Sequence, residues 1–437
     1  MRVHLKALGC RLNEAELESW ARQWQSLGYR IVADTDQADL VVLNSCAVTG
    51  DAVRKSRQLV RKAAREHPRA KLVLSGCYGT LNRAEAEALG VDLIVANADK
   101  HHLVSIAQRE LELPAAPEAA PSQAVWVRLG RHRAFIKVQD GCRHRCTYCI
   151  VTVARGEERS RDPSAIIDEI NAAHAEGIQE VVLTGVHLGG YGNEWGTDLS
   201  DLLTRILAET TIPRLRLGSL EPWDIPESLP DLFENRRLMP HLHLPLQSGS
   251  DRVLKRMARR CRTAHFARLM ARLRRAVPDI NITTDIIVGF PGETETEWAE
   301  SLAFVERMQF GGLHVFPFSP RAGTVAAGLP NPVPDGVKQA RSRVLRQLAE
   351  RLKQQTLRAF LGRECPVLWE GLRPGPNGKN QLFGYTPHYL KVAMAVDGDP
   401  GLSYRISEVR LVRLAEDGDY LVALPVDRAS ARHPSRT

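Results

Sequence analysis

Residues 135–149 read Phe-Ile-Lys-Val-Gln-Asp-Gly-Cys-Arg-His-Arg-Cys-Thr-Tyr-Cys, an apolar strand run that leads directly into three cysteines with CxxxCxxC spacing. Three thiolates in one loop can hold an iron–sulfur cluster and leave one iron without a protein ligand. A zinc site is the alternative, because His144 lies inside the loop. A zinc site would be expected to show a fourth Cys or His at suitable spacing. The spacing therefore favours a cluster with one open iron, where a small molecule can bind.

Further apolar strand runs follow this loop, with helical patterns between them. Strands are predicted near 135–138, 180–183, 214–217, 241–244, 282–288 and 313–316. The helical patterns include 164–175, which follows Asp162-Pro163, and 295–308. Six such units predict a parallel, barrel-like sheet whose active site lies at the carboxyl edge of the strands. The compact cysteine loop follows the first strand and so belongs to that edge.

Three more cysteines are dispersed through the first 110 residues, where short apolar runs again alternate with helical patterns. Strands are predicted at 3–8, 40–44 and 72–75, which indicates a small parallel α/β domain. Each strand is followed at once by one cysteine of a trio: Cys10, Cys46 and Cys77. Loops that leave parallel strands gather on one edge of the sheet. The trio is therefore expected to meet in space.

Composition changes divide the chain. An Ala- and Pro-rich segment follows the first α/β part. From about residue 364, short β-like stretches broken by Gly, Pro and Asp predict a small all-β module. The sequence thus predicts three domains and a linker, with these bounds: 1–112, a linker at 113–127, 128–363 and 364–437.

The composition is that of an ordinary globular protein, with 43% hydrophobic and 25% charged residues among 437. No run approaches the roughly 20 apolar residues of a membrane span, and the first residues lack the apolar stretch of a signal peptide. Eight cysteines are too few for a disulfide scaffold of this length. These observations predict a cytoplasmic protein with no membrane partner, whose cysteines are thiols or metal ligands.

Positive charge is concentrated in two stretches. Between Arg252 and Arg275 there are ten Lys or Arg residues and no acidic residue, and a second basic helix is predicted from about 338 to 363. Together with a net charge of +8, these stretches favour RNA as a partner, because neutralising phosphates supplies sequence-independent affinity. Two solvated helix faces are the alternative.

The CxxxCxxC loop, its position after the first of six strands and Tyr148 before the last cysteine resemble the radical S-adenosylmethionine (SAM) superfamily. The resemblance implies that Cys142, Cys146 and Cys149 hold a [4Fe-4S] cluster. It also implies that the amino and carboxylate groups of SAM bind the fourth iron, and that an electron from the cluster cleaves SAM to a 5′-deoxyadenosyl radical.

Nearly every region of the chain except the linker and the tail resembles the methylthiotransferases of that superfamily. Matching motifs occur in order at Leu8–Asn13, Asn44–Thr49, Ser75–Cys77, Gln139–Cys142, Arg155–Arg161, Leu183–Gly185, Ser219–Pro222, His243–Asp251, Asp285–Glu293 and Phe316–Thr324. The resemblance implies that Cys10, Cys46 and Cys77 bind a second [4Fe-4S] cluster, which carries the sulfur to be inserted. It further implies a TRAM-like, RNA-binding β module at the carboxyl end. Insertion of sulfur at an unactivated aromatic C–H suits this scheme, since no side chain supplies the necessary radical unaided.

The same resemblance places the SAM contacts at the carboxyl ends of the first three barrel strands. Tyr148 is expected beside the adenine, Thr184 and Gly185 at the amino-acid end, and Glu221 as a hydrogen-bond acceptor. Simpler roles stand beside these: packing for the Tyr148 side chain, a backbone turn at Gly185 and helix capping for Glu221.

Two other residues are assigned by position, and the two remaining cysteines are assigned by their lack of partners. Asp285 and Arg321 are site candidates at strand ends. Cys261 and Cys365 are expected to be ordinary thiols, because neither has a partner at ligand spacing. The chain departs from relatives in two places that do not touch a cluster ligand, after Cys149, where Pro-Tyr is common, and at His388, where Asn is common.

The motifs Leu8–Asn13 and Gly384–Val392 look most like the branch that acts on N6-threonylcarbamoyladenosine next to the anticodon (A37) and yields its 2-methylthio derivative. The alternatives are isopentenyladenosine in tRNA or an aspartate of a ribosomal protein as the substrate, or a non-catalytic Fe–S sensor that binds RNA. The expected partners are the tRNA anticodon stem-loop, an electron donor such as flavodoxin or ferredoxin, and a sulfur donor. The chain is expected to be a monomer.

Overall fold

The computed structural model describes residues 1–33, 38–114, 132–375 and 379–426. Most of the predicted linker at 113–127 and the tail after residue 426 lie outside these ranges. Within them, no helix has both the length and the apolar character that crossing a membrane requires.

The first part of the chain forms a parallel sheet of five strands in the order β2-β1-β3-β4-β5. The strands are β1 (Arg2–Ala7), β2 (Arg30–Ile31), β3 (Leu40–Ser45), β4 (Lys71–Gly76) and β5 (Leu93–Ile94). The helices are α1 (Arg11–Ser26), α2 (Gly50–Glu66), α3 (Cys77–Leu81), α4 (Arg83–Glu87) and α5 (Leu103–Glu110). All of β3 is buried, as expected for a central parallel strand covered on both faces. The three predicted strands are confirmed. The edge strands β2 and β5 were not predicted, because two residues are too few to show a repeating pattern of apolar positions.

The central part contains two parallel sheets of three strands, β10-β9-β6 and β11-β12-β13. Parallel bridges Leu215–Leu238 and Ser219–His243 join them into one open barrel. The strands are β6 (Ala134–Lys137), β7 (Gln139–Asp140), β8 (Arg159–Ser160), β9 (Glu180–Thr184), β10 (Arg214–Leu217), β11 (His241–His243), β12 (Asn281–Val288) and β13 (Gly312–Pro317). The helices are α6 (Val151–Arg155), α7 (Pro163–Ala175), α8 (Leu199–Glu209), α9 (Leu229–Leu232), α10 (Asp251–Arg256), α11 (Thr263–Ala276), α12 (Glu295–Met308) and α13 (Asp335–Arg358). The predicted six-strand parallel barrel is confirmed.

Alternation along these strands gives the barrel two different faces. One face is apolar and packs against the helices, with members such as Ile136, Leu183, Leu215, Leu242 and Ile282. The other face is largely polar and lines the interior, with the following members: Lys137, Glu180, Thr184, Arg216, His241, His243, Thr283, Asp285 and His314. A polar interior of this kind can receive a polar ligand.

The carboxyl-terminal part is a closed barrel with the strand order β14-β15-β16-β18-β17. Its strands are β14 (Glu364–Pro374), β15 (Asn380–Tyr385), β16 (Lys391–Val396), β17 (Ile406–Leu414) and β18 (Leu421–Pro425). The predicted all-β module is confirmed, although β15 was not predicted. This barrel docks on the amino ends of the central strands, where Arg214 donates hydrogen bonds to the carbonyls of Tyr385 (3.0 Å) and Pro366 (2.9 Å).

Candidate active site

The compact cysteine loop leaves β7 through a turn that only glycine can make. Gly141 has φ +74°, and a Cβ atom there would lie 1.8 Å from the carbonyl oxygen of Glu157. The backbone N–H of Cys142 then donates to the carbonyl of Gly156 at 3.1 Å. This close approach ties the loop to the end of α6.

Glu158 and two histidines hold the loop from behind. Glu158 accepts a hydrogen bond from the backbone N–H of Arg143 at 3.2 Å and contacts His187 Nδ1 at 2.6 Å. His144 Nε2 lies 3.1 Å from His187 Nε2 and 3.1 Å from an Asp224 oxygen. His144 is therefore engaged with His187 and Asp224 rather than with the cysteines.

The thiols of this loop are strongly influenced by burial. Burial raises the pKa of Cys142 to about 12 and that of Cys149 to about 11, and the neighbouring cysteines act in the same direction. Burial also raises the pKa of Cys146, against the opposing charge of Arg259, whose Nη1 lies 4.0 Å from Cys146 Sγ. Ligation requires thiolates, so a cation bound here would have to displace the protons.

The dispersed cysteines come together at the carboxyl edge of the first sheet. Cys46 and Cys77 are buried and Cys10 is exposed. A Cβ added to Gly9, the neighbour of Cys10, would lie 3.0 Å from Cys46 Sγ, so the chain at Cys10 approaches Cys46 closely. Burial raises the pKa of Cys46 to about 11, and the charges of Cys10 and Cys77 act in the same direction. Asn97 Nδ2 donates to Cys77 Sγ at 3.6 Å. The trio thus forms a second group of three thiols.

The spacing of the sulfur atoms distinguishes between two kinds of metal centre. Among the described residues, neither trio brings its three sulfur atoms within 4.8 Å of one another. A zinc ion with Zn–S bonds of about 2.3 Å would draw them to about 4 Å apart. Wider spacing suits a cluster in which each thiolate binds a different iron. Both groups fit a [4Fe-4S] cluster better than they fit a single zinc ion.

The two cysteine groups adjoin the same domain interface. Asn97, which touches Cys77, also donates to the carbonyl of Ala154 in α6 at 2.8 Å. The backbone N–H of Gly50 donates to Ser319 Oγ at 3.4 Å, and Arg321 lies beside the same glycine. The edge of the first sheet therefore faces the carboxyl edge of the central barrel.

Buried charges fix this interface. Arg155 donates to Glu16 and Asp140 at 3.0 Å each and to Asn13 Oδ1 at 2.8 Å. Lys100 Nζ lies 2.5 Å from Glu16. Burial alone would raise the pKa of Glu16, but these cations outweigh it and hold the pKa well below its usual range. Because the pairs join α1 to β7 and α6, they set the orientation of one cysteine group relative to the other.

The four predicted SAM-contacting residues lie in two places. Thr184 ends β9, and Gly185 packs closely on Gln139, whose Oε1 would lie 2.9 Å from a Cβ at position 185. Tyr148 packs beside the apolar cluster of α10, and burial raises its pKa well above the usual value. Glu221 forms an ion pair with Arg259 at 2.7 Å. Tyr148 and Glu221 thus share Arg259 as a neighbour.

Arg259 is a site residue that the sequence pattern did not separate from its neighbours. It falls within the basic stretch 252–275, yet it is only 4% exposed, and its guanidinium lies 4.3 Å from the ring centroid of Trp223. Arg256 also turns inward and pairs with Glu297 at 2.7 Å. Its position in the sequence could have identified Arg259 as a site residue, because it follows the fourth barrel strand and therefore lies at the carboxyl edge of the barrel. The stretch is therefore a mixture of internal and exposed cations.

Asp285 lies in the barrel interior between two histidines. His243 Nε2 lies 3.2 Å and His314 Nδ1 3.0 Å from the same Asp285 oxygen. Burial would raise the pKa of Asp285, but the two hydrogen bonds outweigh it and lower the pKa well below its usual range. By contrast, Cys261 and Cys365 lie in the apolar cores of the central and carboxyl-terminal barrels.

Comparisons with known proteins agree with this architecture. Two family models match, the Radical SAM superfamily at residues 136–305 and the Uncharacterized protein family UPF0004 at residues 2–96. The chain is 35% identical to the threonylcarbamoyladenosine tRNA methylthiotransferase MtaB of Thermotoga maritima, over 99% of both chains. It is 33% identical to the tRNA-2-methylthio-N(6)-dimethylallyladenosine synthase of Moorella thermoacetica, over 93% of this chain and 94% of that one.

A solved structure shares the fold. The radical S-adenosylmethionine methyltransferase TsrM of Kitasatospora setae aligns with a TM-score of 0.57 at 16% identity, over 75% of this chain and 77% of that chain. At this identity the likeness concerns the fold alone.

Proposed function

Because this chain belongs to the radical SAM methylthiotransferase family, we propose that it converts N6-threonylcarbamoyladenosine at position 37 of tRNA into 2-methylthio-N6-threonylcarbamoyladenosine. The observation that carries the proposal is the placement of two three-cysteine groups beside one domain interface, across which Asn97 joins Cys77 to helix α6. The choice of base is supported by full-length similarity to relatives named for that modification, at 33% to 35% identity.

Each cysteine group would hold one [4Fe-4S] cluster, on Cys10, Cys46 and Cys77 in the first domain and on Cys142, Cys146 and Cys149 in the second. When bound, the clusters and SAM supply the radical and the sulfur that insertion at an aromatic carbon requires, which side chains cannot supply. Tyr148, Thr184, Gly185 and Glu221 are proposed to line the SAM pocket.

The protein's own residues contribute position and charge. Arg259 lies between Cys146 and Glu221, so it can hold that carboxylate at the edge of the site. The ion network of Glu16 and Arg155 keeps the two cysteine groups in register across the interface. Accurate positioning of two reacting centres can supply a large part of a rate enhancement.

We propose that the carboxyl-terminal barrel is a TRAM-like module that binds the anticodon stem-loop. On its surface, Lys391 Nζ lies 5.0 Å and 5.4 Å from the ring centroids of Phe383 and Tyr420. Aromatic rings beside a cation provide stacking and phosphate contacts for single-stranded RNA. The exposed cations of the basic stretch, Arg252, Lys255, Arg260, Arg262, Arg268 and Arg275, would add phosphate contacts.

The remaining parts of the proposal concern the cellular setting. The protein would act in the cytoplasm as a monomer, with a flavodoxin or ferredoxin as the electron donor and a separate sulfur donor. Its proposed domains are residues 1–112, 128–363 and 364–437, joined by a linker at 113–127.

The test compares tRNA nucleosides from a deletion strain with those from the same strain carrying the wild-type gene, Cys10→Ala, Cys146→Ala or Cys365→Ala. We expect the methylthio derivative only with the wild-type gene and Cys365→Ala, since Cys365 lies outside both groups. Persistence of the derivative in the deletion strain would refute the proposal.

Purified protein distinguishes the alternatives. The reduced protein with SAM should release 5′-deoxyadenosine, and a non-catalytic sensor should not. Methylthio transfer to dimethylallyladenosine tRNA or to a ribosomal protein, but not to threonylcarbamoyladenosine tRNA, would assign the chain to another branch.

A further inference from the structure

Arg11 follows Cys10 at the start of α1, and its guanidinium extends to the barrel interior. Its Nη2 donates to Tyr389 Oη at 2.9 Å. Its Cζ lies 5.4 Å from the ring centroid of Tyr389 and 5.9 Å from that of Phe135 on β6. Arg11 thus carries a positive charge from the first cysteine group into the space enclosed by the barrel.

Other cations in this region already have carboxylate partners. Arg133 pairs with Glu180 and with Glu370, at 3.3 and 2.6 Å. Arg216 pairs with Glu180 at 3.1 Å. Arg11, by contrast, has no carboxylate partner in residues 1–33, 38–114, 132–375 and 379–426. A half-buried guanidinium that meets only a phenol and aromatic rings is suited to receive an external anion.

His314 faces the same space from the last strand, β13. Its side chain is 68% exposed, and Asp285 holds its Nδ1 at 3.0 Å. The ring of Tyr389, which Arg11 contacts, lies 5.0 Å from that of His241 on β11, and the ring of His243 on the same strand lies 5.6 Å from that of His314, so these side chains surround one region of the interior. Asp285 is already engaged by His243 and His314, so Arg11 and the protonated ring of His314, through Nε2, are the donors that this surface offers to a ligand.

We propose that Arg11 and His314 form a carboxylate-binding subsite for the threonyl carboxylate on N6 of the target adenosine. The inference rests on the proposed function and names the residues that select the substrate. Guanidinium and carboxylate match as a bidentate pair, which a lysine or an amide does not reproduce. A dimethylallyl substituent is apolar and would leave Arg11 without an anion, so the subsite discriminates between the two bases.

The position of Arg11 next to Cys10 relates binding of the threonyl substituent to the first cysteine group. Arg11 and Cys10 are adjacent, and α1 is fixed on the barrel by the Glu16 network. A base whose substituent is held by Arg11 is therefore held in a fixed position relative to the first cysteine group.

The test measures binding by the cluster-loaded full-length protein under anaerobic conditions. The probes are anticodon stem-loops with threonylcarbamoyladenosine, its neutral methyl ester, or unmodified adenosine at position 37. We expect the wild type to prefer the carboxylate over the ester by about 10- to 100-fold. Arg11→Gln should abolish that preference without changing the affinity for unmodified adenosine, and Arg11→Lys should retain part of it.

His314→Gln provides a second variant, at a residue that does not adjoin a cysteine in the chain, and it should reduce the preference several-fold. Arg30→Gln, an exposed arginine of the same domain, is the matched control and should leave the preference intact. Iron content is measured for every variant, because Arg11 adjoins Cys10. Equal binding of carboxylate and ester by the wild type would overturn the subsite. So would an equal loss for all three stem-loops in Arg11→Gln, which would identify Arg11 as a phosphate contact.

The two proposals fail in different ways. A wild type that prefers the carboxylate but transfers no methylthio group would contradict the proposed function and leave the subsite standing. A wild type that modifies threonylcarbamoyladenosine but binds the ester equally well would contradict only the subsite.

Discussion

At the scale of single residues, two adjacent arginines have opposite roles. Arg259 is buried against Trp223 and Glu221, whereas Arg260 is exposed. Arg259→Met should lower the free energy of unfolding by roughly 3 kcal/mol, because it leaves the Glu221 carboxylate without its partner. Arg260→Met should change it by less than about 0.5 kcal/mol. Denaturant unfolding of both variants would reveal the difference, and equal effects would contradict the assigned role of Arg259.

Gly141 and Gly156 have nearly the same φ but different surroundings, so a comparison of their alanine variants distinguishes backbone strain from steric conflict. Gly156 has φ +72° with no atom within 4 Å of an added Cβ, whereas a Cβ on Gly141 would collide with the carbonyl of Glu157. Gly156→Ala should therefore cost about 1–3 kcal/mol through backbone strain alone, because its φ of +72° and ψ of −155° lie in a region that essentially only glycine occupies. Gly141→Ala should cost more and displace the cysteine loop. Iron and sulfide per chain after anaerobic reconstitution should fall for Gly141→Ala and not for Gly156→Ala.

At the scale of elements, helix α12 begins with a capping box that the sequence displays directly. Thr294 Oγ1 accepts from the backbone N–H of Glu297 at 3.2 Å, and the Glu297 carboxylate accepts from the backbone N–H of Thr294 at 2.9 Å. Thr294→Ala should lower the free energy of unfolding by about 1 kcal/mol, while Thr294→Ser should preserve it. Thermal unfolding of the two variants provides the measurement, and a loss with serine equal to that with alanine would argue against the cap.

Elements were predictable where the pattern is local and long enough. The six barrel strands are visible in the sequence as short apolar runs, and α7 follows an Asp162-Pro163 start in which Asp162 accepts from the backbone N–H of Ala165. Strand β15 was not predicted, because Gly384 interrupts its apolar pattern. A Cβ at position 384 would lie 2.4 Å from the carbonyl oxygen of Leu368. The glycine that obscures the strand in the sequence is required by the close packing of the closed barrel.

At the scale of the whole molecule, Glu180 joins the central barrel to the carboxyl-terminal one. It pairs with Arg216, which donates to the carbonyl of Pro387 at 3.1 Å. Burial would raise the pKa of Glu180, but Arg216, Arg133 and Arg214 outweigh it and lower it to about 2. Its stabilising contribution is therefore present above the unfolded-state pKa of about 4.3 and is lost as the pH falls towards 2.

This linkage gives a pH-dependent prediction. The wild type should lose on the order of 3 kcal/mol more stability than Glu180→Gln as the pH falls from 6 towards 2. Glu364→Gln, which alters an exposed carboxylate, should follow the wild type. The measurement is the denaturant midpoint of each protein across the accessible part of that range. Parallel curves for the wild type and Glu180→Gln would contradict the shift.

The sequence by itself determined the two cysteine groups, the parallel strands and the order of the three structural parts, because these depend on spacing and periodicity within short segments. Only the tertiary structure decided which arginine of the pair 259 and 260 enters the site, and that Arg11 meets Tyr389 across 378 positions of the chain. Both outcomes depend on how distant elements pack and on which buried charges find partners. The local sequence does not predict such contacts, because an arginine can face solvent or a buried carboxylate with the same neighbours in the sequence.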